Sequence, residues 1–140
     1  MEKWRKEDLT DKIINACINV HKEFGPGFLE SIYHNALKIE LVRQKLAIES
    51  EKEVTVHYCD AEVGIHKIDL FVEGEIVVEL KTVDDLHKKD YAQVRSYLKA
   101  SNKEVGLLVN FADFTLDVRR VELARKISRK RKGGEIEEGN

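Results

Sequence analysis

Asp69, Glu79 and Lys81 are residues whose types and spacing suit chemistry, and they lie close together in the chain. The stretch that holds them, Ile68-Asp69-Leu70-Phe71-Val72-Glu73-Gly74-Glu75-Ile76-Val77-Val78-Glu79-Leu80-Lys81, reads as a β-hairpin. Side chains alternate along a strand, so Glu79 and Lys81 point away from Ile76, Val78 and Leu80, while Asp69 points away from Ile68 and Leu70. With the two apolar sets on one buried face, a turn of odd length brings the charged trio to the opposite face. Val72-Glu73-Gly74 supplies such a turn, with Gly74 free to take a positive φ. Lys67 then sits opposite Glu79, and Asp69 becomes the diagonal neighbour of Glu79 at roughly 7–8 Å. Two carboxylates so placed can close on one divalent cation through metal–oxygen bonds of about 2.1 Å. The chemistry this suits is metal-assisted phosphodiester cleavage, which requires charge neutralisation, an activated water and a protonated leaving group. The simpler reading of the same alternation is the solvated face of an amphipathic hairpin.

The elements that must position these residues follow from periodicity. Ile13, Ile14, Cys17, Val20 and Phe24 recur at helical spacing over about 10–24, with Thr10 as the expected cap and Gly25-Pro26-Gly27 as the stop. A second helix is expected from about 28 to 45, with Ile32, Ala36, Leu37 and Leu41 as its buried stripe. Three strand-like segments, about 51–58, 62–71 and 75–82, form a meander. Asp84 or Asp85 is the expected cap of a third helix over about 86–100, with Tyr91, Val94 and Leu98 buried. Val105-Gly106-Leu107-Leu108-Val109 reads as a strand buried on both faces, and a strand–helix–strand unit of this length implies a right-handed parallel crossover. A further strand is expected within 115–122. The fold class is therefore α/β (α+β), a mixed sheet flanked by helices.

Composition bounds the rest. At 140 residues and 42% hydrophobic, residues 1–124 read as a single domain able to bury a core unaided, and 125–140 as a charged, disordered tail. Cys17 and Cys59 lack a CxxC spacing, so a reduced, cytoplasmic protein is expected, and His57, His66 and His87 lack zinc-ligand spacing. No apolar run approaches the roughly 20 residues of a membrane span, and Met1-Glu2-Lys3-Trp4-Arg5-Lys6 does not lead into a signal-peptide apolar region. A net charge of −2 does not mark a nucleic-acid binder by bulk electrostatics, so any such contact must be local.

More specific patterns are also present. Gly27-Phe28-Leu29-Glu30-Ser31-Ile32-Tyr33 is a GxxExxY signature, preceded by Val20-His21-Lys22 and Gly25-Pro26. It is followed in order by Ile68-Asp69-Leu70, by Val78-Glu79-Leu80-Lys81, by a helix with Gln93-x-x-x-Tyr97-Leu98-Lys99, and by Val105-Gly106-Leu107-Leu108-Val109-Asn110-Phe111. Over about residues 8–122 the chain resembles the GxxExxY protein family, a branch of the PD-(D/E)XK nuclease-like superfamily. The resemblance implies a restriction-endonuclease-like core and a cation site built from Glu30, Asp69 and Glu79. It matches Lys81 to the catalytic lysine, and Gln93 with Tyr97 to the glutamine-helix motif of exonuclease-like members.

On this basis Glu30, Asp69, Glu79, Lys81 and Gln93 are the expected catalytic set. Asp69 and Glu79 hold Mg²⁺ or Mn²⁺ directly, the Leu80 carbonyl adds a ligand, and Glu30 reaches in directly or through water. Lys81 orients the attacking water or stabilises the charged phosphorane, and Gln93 positions Lys81 or the phosphate. Tyr97 and Tyr33 are placed at the substrate, with Tyr33 favoured as packing beneath the site. The expected function is a Mg²⁺-dependent nuclease acting on DNA, with a homodimer or an accessory protein extending its small surface. The alternatives are a non-catalytic module that keeps the fold to bind nucleic acid or protein, and a small self-associating structural protein.

Overall fold

A computed structural model describes residues 6–123, 127–132 and 135–139 of the chain. Helix α1 spans Lys6–Phe24 and buries Leu9, Ile13, Ala16, Cys17 and Val20 along one face. Thr10 lies inside this helix, not at its start: its hydroxyl donates to the Glu7 carbonyl at 3.0 Å. Gly25, at φ +62°, closes α1 by donating its N–H to the His21 carbonyl at 2.7 Å. Helix α2 spans Glu30–Arg43 and buries Tyr33, Leu37 and Leu41. Leu37 and Leu41 are buried as expected and Ala36 packs against the core, but Ile32 is 39% exposed and Tyr33 is fully buried in its stead.

The main sheet has the order β1(Ile48–Tyr58), β2(Ala61–Val72), β3(Ile76–Lys81), β4(Val105–Asn110), β5(Asp117–Glu122). β1, β2 and β3 form an antiparallel meander, β3 and β4 are parallel, and β5 returns antiparallel to β4. The crossover from β3 to β4 is helix α3, Lys88–Ser101. Its N-cap is His87, not Asp84 or Asp85, with the His87 N–H donating to Asp90 Oδ2 at 2.8 Å. One core lies between α1, α2 and the sheet; it includes Leu70, Val72, Ile76, Val78, Leu80, Leu107 and Val109. The other, Ile68, Phe71, Val77, Val94, Tyr97, Leu98, Leu108 and Val121, lies under α3. α3 sits close to β4 because residue 106 is glycine: a Cβ there would stand 2.7 Å from Val94 Cγ1. The result is an α+β fold with a five-stranded mixed sheet covered on both faces.

The β2–β3 turn keeps the expected odd length but begins one residue later, at Glu73-Gly74-Glu75. Val72 pairs with Ile76, Phe71 with Val77 and Leu70 with Val78. Glu73 takes φ +54° beside Gly74 at +62°, and the Glu75 N–H donates to the Val72 carbonyl at 3.0 Å. Two hydrogen bonds hold Glu73 there: its N–H donates to the Ala47 carbonyl, and its Oε2 accepts the Ala47 N–H. Asp69 is therefore level with Glu79, not diagonal to it.

In the segment expected as a disordered tail, β6(Ile127–Lys132) and β7(Glu135–Gly139) pair antiparallel as a separate two-stranded sheet. Its register sets Lys130 against Glu137 and Lys132 against Glu135.

Candidate active site

Strand β3 places two functional groups on its α3 face. Glu79 follows Val77 on that side and is 5% exposed, so the face is not the solvated one an amphipathic hairpin would have. Among the described residues Glu79 Oε1 has no hydrogen-bond partner. Burial, the Asp69 carboxyl beside it and the acid of Glu30 push the Glu79 carboxyl up to about 8, against the opposing pull of Lys81. Two residues on, Lys81 Nζ stands 3.8 Å from Glu79 Oε2.

Asp69 comes from β2, at a break in that strand's alternation. Ile68 packs under α3 while Leu70 packs under α1 and α2, so the two do not share a face as strict alternation requires. The residue level with Asp69 on β1 is Glu51, which takes φ +53°, and the ladder skips this pair. Freed from ladder geometry, Asp69 accepts the Leu80 N–H on its Oδ2 at 3.1 Å. One carboxylate oxygen thus ties β2 to β3 at the site.

The GxxExxY segment resolves into a device with three parts. Gly27, at φ +112°, carries the linker between helices in a conformation that side-chain-bearing residues rarely adopt. Glu30 opens α2, and its carboxyl is raised by partial burial and by Asp69 while Lys81 and His34 lower it. These couplings place Glu30 in the same electrostatic neighbourhood as Asp69 and Lys81. Tyr33 is fully buried, stacks on Phe111 at 4.7 Å, donates its hydroxyl to the Gly25 carbonyl and accepts the Phe28 N–H at 3.2 Å. Its hydroxyl is therefore spent on the linker, and its ring packs among Phe24, Phe28 and Phe111.

Helix α3 contributes Tyr97 and Gln93. Tyr97 is 6% exposed and its hydroxyl accepts the Gln93 Nε2 amide at 2.9 Å. Burial, then Glu79 and Asp69, raise the Tyr97 hydroxyl above its usual range. Gln93 thus holds Tyr97, and the residue that meets Lys81 is instead Asp90, whose Oδ1 lies 3.7 Å from Lys81 Nζ. Asp90 and His34 were absent from the expected set. His34 Nε2 lies 3.1 Å from the Asp69 carbonyl oxygen. Both had a signal in spacing: His34 is one helical turn after Glu30, and Asp90, Gln93 and Tyr97 recur on one face of α3.

The donor set fits a hard divalent cation in part. Glu79 offers a buried oxygen with no partner, and Asp69 stands beside it. Among the described residues no three His, Cys, Asp or Glu side chains gather closely enough to hold an ion. Asp69 and Glu79 are the side chains that could hold such an ion, together with backbone or water oxygens.

No curated protein matches the sequence. The fold resembles the crystal structure of SSO0001, with a TM-score of 0.55 at 18% identity over 81% of this chain; the match spans 65% of that protein's length. A family model described as the PD-(D/E)XK nuclease superfamily matches residues 7–121, which include every site residue named above. With that match across most of its length, and with a five-stranded mixed sheet bearing Asp69 and the Glu79-x-Lys81 strand, the chain belongs to the PD-(D/E)XK nuclease superfamily.

Proposed function

We propose that the protein is a metal-dependent nuclease that hydrolyses phosphodiester bonds of DNA. The observation that carries this reading is Glu79: a buried carboxylate with an unpartnered oxygen, between Asp69 and Lys81, is costly to the fold and useful to a cation. Nucleases of this superfamily generally use divalent metals, and Asp69, Glu79 and the Leu80 carbonyl would hold Mg²⁺ or Mn²⁺, with Glu30 reached through water. Such an ion, when bound, supplies Lewis acidity and lowers the pKa of water.

The chain's own groups do the remaining work. Lys81 presents its ammonium to a non-bridging phosphate oxygen or to the attacking water. Asp69 keeps β2 and β3 in register through the Leu80 N–H, and Tyr97, held by Gln93, forms the wall against which the nucleotide rests. Cys17 is buried, with its thiol pushed up to about 12 by burial, and Cys59 is an exposed free thiol; a reducing, cytoplasmic setting is part of this reading. No helix among the described residues is long and apolar enough to cross a membrane. A homodimer or an accessory protein would supply the surface that a domain of this size lacks.

The test is cleavage of single-stranded, duplex and branched DNA with Mg²⁺ or Mn²⁺, by wild type, Asp69→Ala and Glu79→Gln. Metal-dependent cleavage lost in both variants supports the reading. DNA binding without cleavage, unaffected by both substitutions, would replace it with a non-catalytic binding module.

A further inference from the structure

Lys81 stands between two buried carboxylates, with Glu79 Oε2 at 3.8 Å and Asp90 Oδ1 at 3.7 Å. Neither approach is a hydrogen bond, so its N–H groups are not committed to either acid. Asp90 is 6% exposed, and its two oxygens are divided between two tasks. Oδ2 accepts the backbone N–H of His87 at 2.8 Å, which closes the first turn of α3. That bond fixes the plane of the carboxylate and leaves Oδ1 aimed at Lys81. Both residues open on one cleft of about 530 Å³, lined also by Val83, Asp84, His87 and Lys89, so a ligand can reach the ammonium from this side.

We infer that Asp90 is a positioning residue of this site: it holds Lys81 toward the phosphate or the attacking water by joining the lysine to the start of α3. The inference rests on the nuclease reading, in which the charge of Glu79 is claimed by a cation. Asp90 is then the carboxylate within 4 Å of Lys81 that no cation claims. A helix cap and a catalytic lysine share one carboxylate, so the placement of the lysine follows that of the helix.

Asp90→Asn separates the two tasks. Its side-chain oxygen can still accept the His87 N–H, but an amide NH₂ then faces Lys81 in place of an anion. The Lys81 side chain is read by NMR relaxation at Cε, and cleavage by steady-state kinetics. The expected result is that Lys81 becomes as mobile as exposed lysines, that kcat falls about 100-fold with KM within about twofold, and that the amide spectrum is preserved outside the first turn of α3. Asp90→Glu, which keeps an acid able to reach both groups, is expected to retain kcat within about tenfold. A Lys81 as ordered in Asp90→Asn as in wild type, or an unchanged kcat, overturns the inference. Absence of cleavage by the wild type would sink the nuclease reading instead, and the relaxation measurement would still decide whether Asp90 holds Lys81.

Discussion

An unpartnered carboxylate oxygen under a helix costs the fold stability, and Glu79 carries that cost in a form that pH can expose. Its folded pKa of about 8 lies above the ordinary value of 4.5, so between those values the folded state holds a proton that the unfolded chain has released. The stability from this group is complete below about pH 4.5 and is lost as pH rises through 8. Glu79→Gln removes the titration. Each pKa unit is worth about 1.4 kcal/mol, so the variant is expected to gain a few kcal/mol over wild type at pH 9 and almost nothing at pH 5, by urea unfolding at both. Lys81 opposes the rise of Glu79. Lys81→Met, which keeps an apolar stem of similar length, is therefore expected to move the Glu79 titration upward, and to cut DNA cleavage by about 10²–10³-fold while metal binding persists at high pH.

Single positions in the elements decide whether these residues meet. Gly106→Ala would push a methyl to within 2.7 Å of Val94 Cγ1 and lift α3, with Tyr97 and Asp90 on it. A loss of about 1–3 kcal/mol is expected in denaturant unfolding, together with a fall in kcat larger than any change at a distant surface site. Tyr33→Phe leaves the Gly25 carbonyl and the Phe28 N–H without their shared partner and is expected to cost about 1–3 kcal/mol. The order of elements was legible because hydrophobic period and Gly-Pro-Gly punctuation are local, and the buried run Val105–Asn110 announced its crossover. Register and caps were not, because they depend on partners distant in sequence. Glu73 takes its positive φ from bonds to Ala47, 26 residues away, so the turn moved by one residue. His87 caps α3 because Asp90 reaches back to its N–H, which competes successfully with the better cap residues Asp84 and Asp85. Glu79 and Lys81 were readable from the alternation of β3, although Glu79 proved buried, whereas the facing of Asp69 was not, because the alternation of β2 breaks between Ile68 and Leu70. The role of Asp90 required knowing where the first turn of α3 lies against β3.

At the scale of the whole molecule, the candidate site draws on both layers and the sheet between them. α2 brings Glu30 and His34, the sheet brings Asp69, Glu79 and Lys81, and α3 brings Asp90 and Tyr97. A cation held by Asp69 and Glu79 would bind the native state only and would stabilise folding by mass action, by about 2.7 kcal/mol at a concentration 100 times its Kd. The Tm is accordingly expected to rise with Mn²⁺ in wild type and to stay constant in Asp69→Ala. The net charge of −2 leaves the protein without a bulk field for nucleic acid, so under the proposed function recognition would fall to local contacts. The most direct measurement is calorimetric titration of Mg²⁺ or Mn²⁺ at pH 7 in two buffers of different ionisation enthalpy, with and without DNA. Saturable binding of a cation with release of about one proton, as a Glu79 pKa near 8 requires, and loss of both in Asp69→Ala and Glu79→Gln, is the expected result. Absence of binding in either condition, or binding indifferent to both substitutions, would contradict a metal centre at Asp69 and Glu79.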